Sequence, residues 1–371
     1  MCSAASSTRK KAARSDSGYC ETSSVYKLAL LNNSERYLIV GLGSIGRRHL
    51  RNLRLLRPQA RIAVLRQRES MRAAPLPEGA DIQFDSMADA LAFQPQAAII
   101  AGPATTHLPV ALALANSNIH LLVEKPLAEG LAGLGDLIRL CREKQLALMV
   151  GYNLRFMPSL REVRRLIAEG AIGKIVGARA EVGQYLPDWR PGSDYRETVS
   201  ARRELGGGVI LELSHELDYL YWLLGMPEAV SAKGGHYSHL DLDVEDMVEI
   251  LLEYSSPRCL VSVHLDMVQR MPVRCCKFIG EEGTLKWDAI ADRVDYYRAD
   301  AGAWESIEGT SKNDRNHLYL DELEQFLGCV HGDDIPLVDG VQGYDVLAIA
   351  DAARRSIESG TTIKVRGYEQ G

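Results

Sequence analysis

The sequence predicts an α/β protein in two parts: a doubly wound parallel sheet, then an α+β region built on an open, mainly antiparallel sheet. Three observations predict it. Between residues 36 and 151, short continuous apolar runs alternate with helical segments, the rhythm of a parallel sheet covered on both faces. A glycine-rich turn, "GLGSIG" (41–46), joins the first apolar run to the first helix. After Gly151 the apolar residues alternate with polar ones. In "VSVHLDM" (261–267), Val261, Val263, Leu265 and Met267 point one way and Ser262, His264 and Asp266 the other.

The elements follow in order. Residues 1–35 are rich in Ser, Ala and basic residues without periodicity and read as a disordered tail. "RYLIV" (36–40), "RIAVL" (61–65), "AAII" (97–100), "HLLV" (120–123) and "ALMV" (147–150) read as strands. Helical segments fall near 86–93, 107–116 and 130–144. Together they make a dinucleotide-binding domain over 36–151. The rest, 152–371, reads as a substrate-binding and oligomerisation domain. It opens with a helix near 158–169, continues with a strand at 174–185, and closes with helices near 315–331 and 339–358.

Composition narrows the function. The chain has 371 residues, is 46% hydrophobic and 25% charged, and carries a formal charge of −6. That balance argues against a nucleic-acid surface. Seven cysteines form no C-x-x-C pair and no zinc spacing. The N-terminus lacks the apolar core of a secretory signal, and no apolar run has the length of a membrane span. A cytoplasmic location is expected.

"GLGSIG" places Gly41, Gly43 and Gly46 as G-x-G-x-x-G, after a strand and before a helix, which is the Rossmann context. Ser44 and Ile45 open that helix and offer free backbone N–H groups to a pyrophosphate. The second strand ends in "VLRQR", with no carboxylate for a ribose. Arg66 could grip a 2′-phosphate instead, which leans NAD(P)(H) toward NADP(H). The competing reading makes Arg66 a solvated loop residue. "EKP" puts Glu124 and Lys125 at a strand's C-terminal end, where open α/β sheets bind ligands. "GPATTH" (102–107) faces the same edge and adds Pro103, Thr105 and His107.

"GLGSIG", "EKP", "GYNLRFMPSL" (151–160) and the glycine-led "GGGVILELSHELD" stand in that order. In this the chain resembles the Gfo/Idh/MocA oxidoreductase family across roughly residues 36–365. The resemblance implies NAD(P)-dependent hydride transfer at a hydroxyl or keto carbon of a sugar, cyclitol or nucleotide sugar. It also implies dimers or tetramers joined through the C-terminal sheet. The lysine of the family's E-K-P motif falls on Lys125, which would hydrogen-bond the reacting oxygen. The family's helical histidine matches His215, the general acid–base. Many members carry Asp four residues before that histidine; here Glu212 stands three before it. The string over 185–225 is similar to sugar oxidoreductases of surface-polysaccharide and nonulosonic acid biosynthesis. The same fold also serves non-catalytic nucleotide- or sugar-binding regulators and reductases of non-sugar substrates.

At 100° per residue, "GGGVILELSHELDYLYWLLG" (206–225) reads as one two-faced helix. Val209, Leu213, Leu217, Leu220 and Leu224 face the core. Glu212 and His215 lie opposite, with Tyr219 and Trp222. Glu216 and Asp218 receive no role. No metal is expected, because His215–Glu216 begins like H-E-x-x-H but ends at Tyr219. The loop "YLPDWRPGSDYR" supplies substrate candidates: Tyr185 and Trp189 to stack on a sugar, Arg190 and Arg196 to bind an anion. Arg155 in "NLRF" is a further substrate candidate. "REVRRLIAE" reads as a solvated helix face with ion pairs.

Overall fold

Two sheets organise the chain. In the computed structural model the described residues are 35–66, 75–309 and 315–369. Of the expected tail at 1–35, residues 1–34 lie outside them, as do Gln67 and Arg68.

The first sheet is parallel, in the order β3-β2-β1-β4-β5-β6. Its strands are β1 (Arg36–Val40), β2 (Arg61–Leu65), β3 (Ile82–Phe84), β4 (Ala97–Ile100), β5 (His120–Glu124) and β6 (Leu148–Gly151). Helices α1 (Ser44–Leu56), α2 (Met87–Ala92), α3 (Ala104–Asn116) and α4 (Leu134–Glu143) connect them. From Tyr37 to Val40, β1 is at most 2% exposed, as continuous apolar strands require when both faces are covered. The three-residue edge strand β3 was not expected; it is half-buried and too short for a periodic signal. Chain order reverses between β1 and β4, and the C-terminal strand ends there form the crevice used below.

The second sheet has nine strands, in the order β14-β13-β12-β11-β7-β10-β9-β8-β15. These are β7 (Ile175–Gly183), β8 (Ala229–Gly235), β9 (Met247–Ser255), β10 (Arg258–Asp266), β11 (Val273–Gly280), β12 (Gly283–Asp288), β13 (Arg293–Arg298), β14 (Ala303–Glu308) and β15 (Ile363–Lys364). All its pairs are antiparallel except β7 with β10. Alternation marks a half-exposed strand but carries no direction, so that parallel pair was not legible. Val248, Ile250 and Leu252 are buried while Glu249, Leu251 and Glu253 are exposed, the expected period of two.

Helix α5 (Pro158–Ala168) carries the expected ion pairs, Arg165 meeting Glu162 and Glu169. Helices α8 (Asn316–His331) and α9 (Gly340–Ser359) close the chain. The segment before α9 returns to the first sheet, where Val150 N–H donates to the Val338 carbonyl at 2.9 Å.

One expected helix is two. Helix α6 covers Val209–Glu212 and α7 covers His215–Leu224. Glu216 N–H donates to Leu213, not to Glu212. No glycine or proline marks the break. What stabilises it comes from elsewhere in the chain, as the site shows.

Candidate active site

The glycine turn after β1 is shaped by contact. Gly41 has φ +91°, and a Cβ there would meet Gly102 N at 2.8 Å. A Cβ on Gly46 would sit 2.1 Å from the Gly41 carbonyl oxygen. Gly43 faces open space with nothing within 4 Å. The first and third glycines let the turn and helix close, and the second leaves room for a ligand. No acidic residue occupies the first turn of α1, so its free N–H groups and dipole are open to an anion. These residues fit a dinucleotide pyrophosphate.

A cleft of about 610 Å³ opens over this turn, within the range of small-molecule sites. Gly41, Gly43, Ser44, Ile45, Arg66, Pro103, Glu124, Lys125, Glu212 and His215 all line it. Arg66 is only 5% exposed and donates to the Pro75 carbonyl at 2.8 Å, so it is not a solvated loop residue.

The break between α6 and α7 sets the chemistry. A continuous helix would use the Glu212 carbonyl for the Glu216 N–H. Here that carbonyl accepts from Lys125 Nζ at 2.8 Å. Glu212 turns its carboxylate to Ser200, whose hydroxyl donates at 2.7 Å. His215 begins α7 and lies edge-on to Tyr152, with ring centroids 5.5 Å apart. Its Nδ1 is buried without a hydrogen-bond partner. Burial, then the charges of Arg274 and Lys125, hold His215 well below the ordinary imidazole range. It is neutral at pH 7 and able to take a proton.

Several expected site residues do other work. Arg155 is fully buried: its Nη2 donates to Asp218 at 2.7 Å, its Nε to both Asp218 oxygens, and its Nη1 to Leu337 and Gln342. It is shut away from solvent and does not line the cleft. Tyr185 lies under the Arg270 guanidinium at 3.6 Å, and Trp189 donates its indole N–H to Gln184 at 2.9 Å. Neither lines the cleft. Arg196 forms a local pair with Asp194 at 2.6 Å and is also off the cleft. Among the five substrate candidates, only Arg190 lines it.

His107 is buried between the Pro126 and Gly102 carbonyls, 2.9 Å from each, and straps two strand-end loops together. Burial lowers its pKa, against the raising effect of the two carbonyls. Thr105 does not line the cleft. Tyr219 is buried against Trp287 at 5.1 Å, not on the cleft side. Trp222 lies beneath the Arg155 and Arg164 guanidiniums. Glu216 and Asp218, which had no role, are core ion-pair partners of Arg274 (2.9 Å) and Arg155.

Cleft residues that the sequence reading missed include Arg48, Asn153 and Tyr319. Arg48 lies one turn into α1 and stacks over the Tyr319 ring at 4.5 Å. Its position in "GLGSIGRRH" was a usable signal. Asn153 and Tyr319 also line the cleft. Tyr319 comes from α8, and no local pattern brings it there.

A glycine cradle, a helix N-terminus and a lysine–histidine pair in one cleft define a nicotinamide-dinucleotide oxidoreductase. Residues 35–152 match the model of an oxidoreductase family with an NAD-binding Rossmann fold, and residues 160–286 match the GFO/IDH/MocA C-terminal domain. The chain belongs to the Gfo/Idh/MocA oxidoreductase family.

Among its relatives is inositol 2-dehydrogenase of Rubrobacter xylanophilus, 26% identical over 91% of this chain and 95% of that protein. Another is 2,7-anhydro-N-acetylneuraminate hydratase of Mediterraneibacter gnavus, 25% identical over 70% of this chain and 78% of that one. The fold matches levoglucosan dehydrogenase in complex with NADH, with a TM-score of 0.78 at 19% identity over 91% of this chain and 100% of that one. It also matches the WlbA dehydrogenase of Bordetella pertussis, with a TM-score of 0.74 at 23% identity over 90% and 99%.

Proposed function

We propose that the protein moves hydride between NAD(P)(H) and the hydroxyl or keto carbon of a sugar, cyclitol or nucleotide sugar. One observation carries the reading: Lys125 and His215 line the same cleft as the glycine turn, with Lys125 Nζ tied to the Glu212 carbonyl at 2.8 Å. The nicotinamide, when bound, supplies the hydride acceptor or donor. Lys125 donates a hydrogen bond to the reacting oxygen and stabilises negative charge that develops there. His215, neutral through burial, takes the hydroxyl proton in oxidation and returns it in reduction. Glu212 holds Lys125 through its carbonyl and accepts from Ser200 through its carboxylate. Arg190, Ser193, Glu197 and Thr198 line the cleft beside them and suit a hydroxyl-rich substrate.

The lean toward NADP(H) rests on Arg66, a buried cation at the cleft with no carboxylate following β2 in "VLRQR". Homodimers or homotetramers through the second sheet are the expected assembly; Leu251 and Leu260 stand exposed there at 44% and 53%. The cytoplasmic reading has the support that Cys141, Cys259, Cys275, Cys276 and Cys329 are free thiols. No helix among the described residues is long and apolar enough to cross a membrane.

The test is fluorescence titration with NADH and NADPH, followed by a panel of free and nucleotide-linked sugars. Turnover of one sugar class is expected. Because one relative is named a hydratase, products formed with no net change in cofactor are scored too. Tight cofactor binding with no product from any member would favour the regulator reading. Equal or tighter NADH binding would refute the argument from Arg66.

A further inference from the structure

Behind the cleft lies a cluster that no step above uses. Glu322 on α8 is 0% exposed, and neither carboxylate oxygen has a hydrogen-bond partner. One polar atom each from Glu322, His49 of α1 and Glu124 at the end of β5 lie within 4.8 Å of one another. His49 Nε2 is 2.6 Å from Glu124 Oε1, and His49 Nδ1 is buried without a partner. Tyr319, three residues before Glu322, meets the His49 ring edge-on at 6.2 Å. Glu124 and Tyr319 both line the cleft, so the cluster reaches it from behind.

A buried carboxyl without a cation partner holds a proton, because desolvating the unpaired charge costs more than keeping the acid neutral. Among the described residues, the groups around Glu322 on neighbouring elements include no lysine, and their one arginine is paired with Asp218. They are His49 on α1, Glu124 on β5, Asp218 on α7 and Arg155 in the turn Asn153–Phe156. Arg155 is taken by Asp218, Leu337 and Gln342, and Arg48 lies over Tyr319. Burial, then the charges of Glu124 and Asp218, push the Glu322 carboxyl well above the ordinary range.

We propose that Glu322 is a positioning residue: it keeps its proton at neutral pH and, as the neutral member of a buried His49–Glu124–Glu322 group, holds the Glu124–Lys125 turn in place at the cleft. Were both carboxyls ionised, their repulsion would displace Glu124, and Lys125 with it. A divalent cation is the rival way to neutralise the cluster. Ligands bonded to one ion at about 2.0–2.2 Å stand roughly 3 Å or more apart. His49 and Glu124 are 2.6 Å apart, the distance of a direct hydrogen bond.

The proposal takes its consequence for Lys125 from the proposed oxidoreductase reading, but its first test needs neither cofactor nor substrate. Infrared spectra of the cofactor-free wild type at neutral pH should show the carbonyl band of a protonated carboxylic acid, and Glu322→Gln should lose it. Metal analysis should find no stoichiometric divalent ion. The second test is NADH titration across a pH series. Wild-type affinity should fall as pH rises through the ionisation of Glu322, by up to about tenfold per pH unit. In Glu322→Gln, neutral at every pH, that fall should vanish. A purely packing role would leave the pH dependence of binding unmoved. An unchanged infrared band, one divalent ion per chain, or the same pH dependence in both proteins would overturn the proposal.

Discussion

Lys125 Nζ donates to the Glu212 carbonyl across 87 positions of sequence, at 2.8 Å. That carbonyl is free only because the helix pauses between Glu212 and His215. The same break turns His215 to the cleft. A lysine from the first sheet and a histidine from the second half of the chain are thus placed by one backbone irregularity.

Lys125→Ala should lower turnover by roughly 10²–10³-fold, the usual cost of losing one donor to a developing oxyanion. Cofactor affinity should change little, because the glycine turn is untouched. Steady-state kinetics beside NADH titration separate the two. Wild-type turnover would remove Lys125 from the chemistry.

His215→Asn should reduce kcat by about 10²–10⁴-fold. The wild-type rate of oxidation should fall only at pH below 6.5, the ordinary imidazole value, because burial depresses the His215 pKa. Stability has the same sign: His215 contributes fully above pH 6.5 and loses that contribution as pH falls toward its depressed folded value. A pH–rate profile of the variant should lack the acidic limb.

Arg155→Met should destabilise the fold by about 3–5 kcal/mol, since it strands the buried Asp218 charge. Adding Asp218→Leu should recover much of that loss. Denaturant unfolding of the single and double variants measures it. A substrate-binding Arg155 would instead raise KM while leaving stability alone.

His264 sits between Asp266 (3.1 Å) and Glu249 (2.6 Å) on the second sheet. The hydrogen bond to Asp266, then that to Glu249, raises its pKa from 6.5 to about 9. A raised folded pKa stabilises fully below the unfolded value and is lost as pH rises through the folded one. His264→Gln should therefore cost about 1–3 kcal/mol near pH 6, discounted for partial exposure. The difference between the two proteins should close above pH 9. Melting temperatures across that range would show it.

Local signals were legible before the structure. "GLGSIG" must be a tight turn because Gly41 and Gly46 have no room for a Cβ. "EKP" had to sit at a strand end because the apolar run of β5 stops there. Alternation in β9 and β10 gave the one-sided sheet, and the two closing helices fell within a residue of their expected starts.

The sequence by itself determined what depends on neighbours along the chain: strand rhythm and the glycine turn. Tertiary structure alone decided the fate of buried charges. Arg155 reads like a binding residue until Asp218, 63 positions away, takes its guanidinium. Glu216 is idle until Arg274 meets it, and Glu322 is an ordinary helix residue until His49 and Glu124 stand beside it. The physical reason is common to all three. The cost of a charge depends on which groups surround it in a low-dielectric interior, and those groups come from distant parts of the chain.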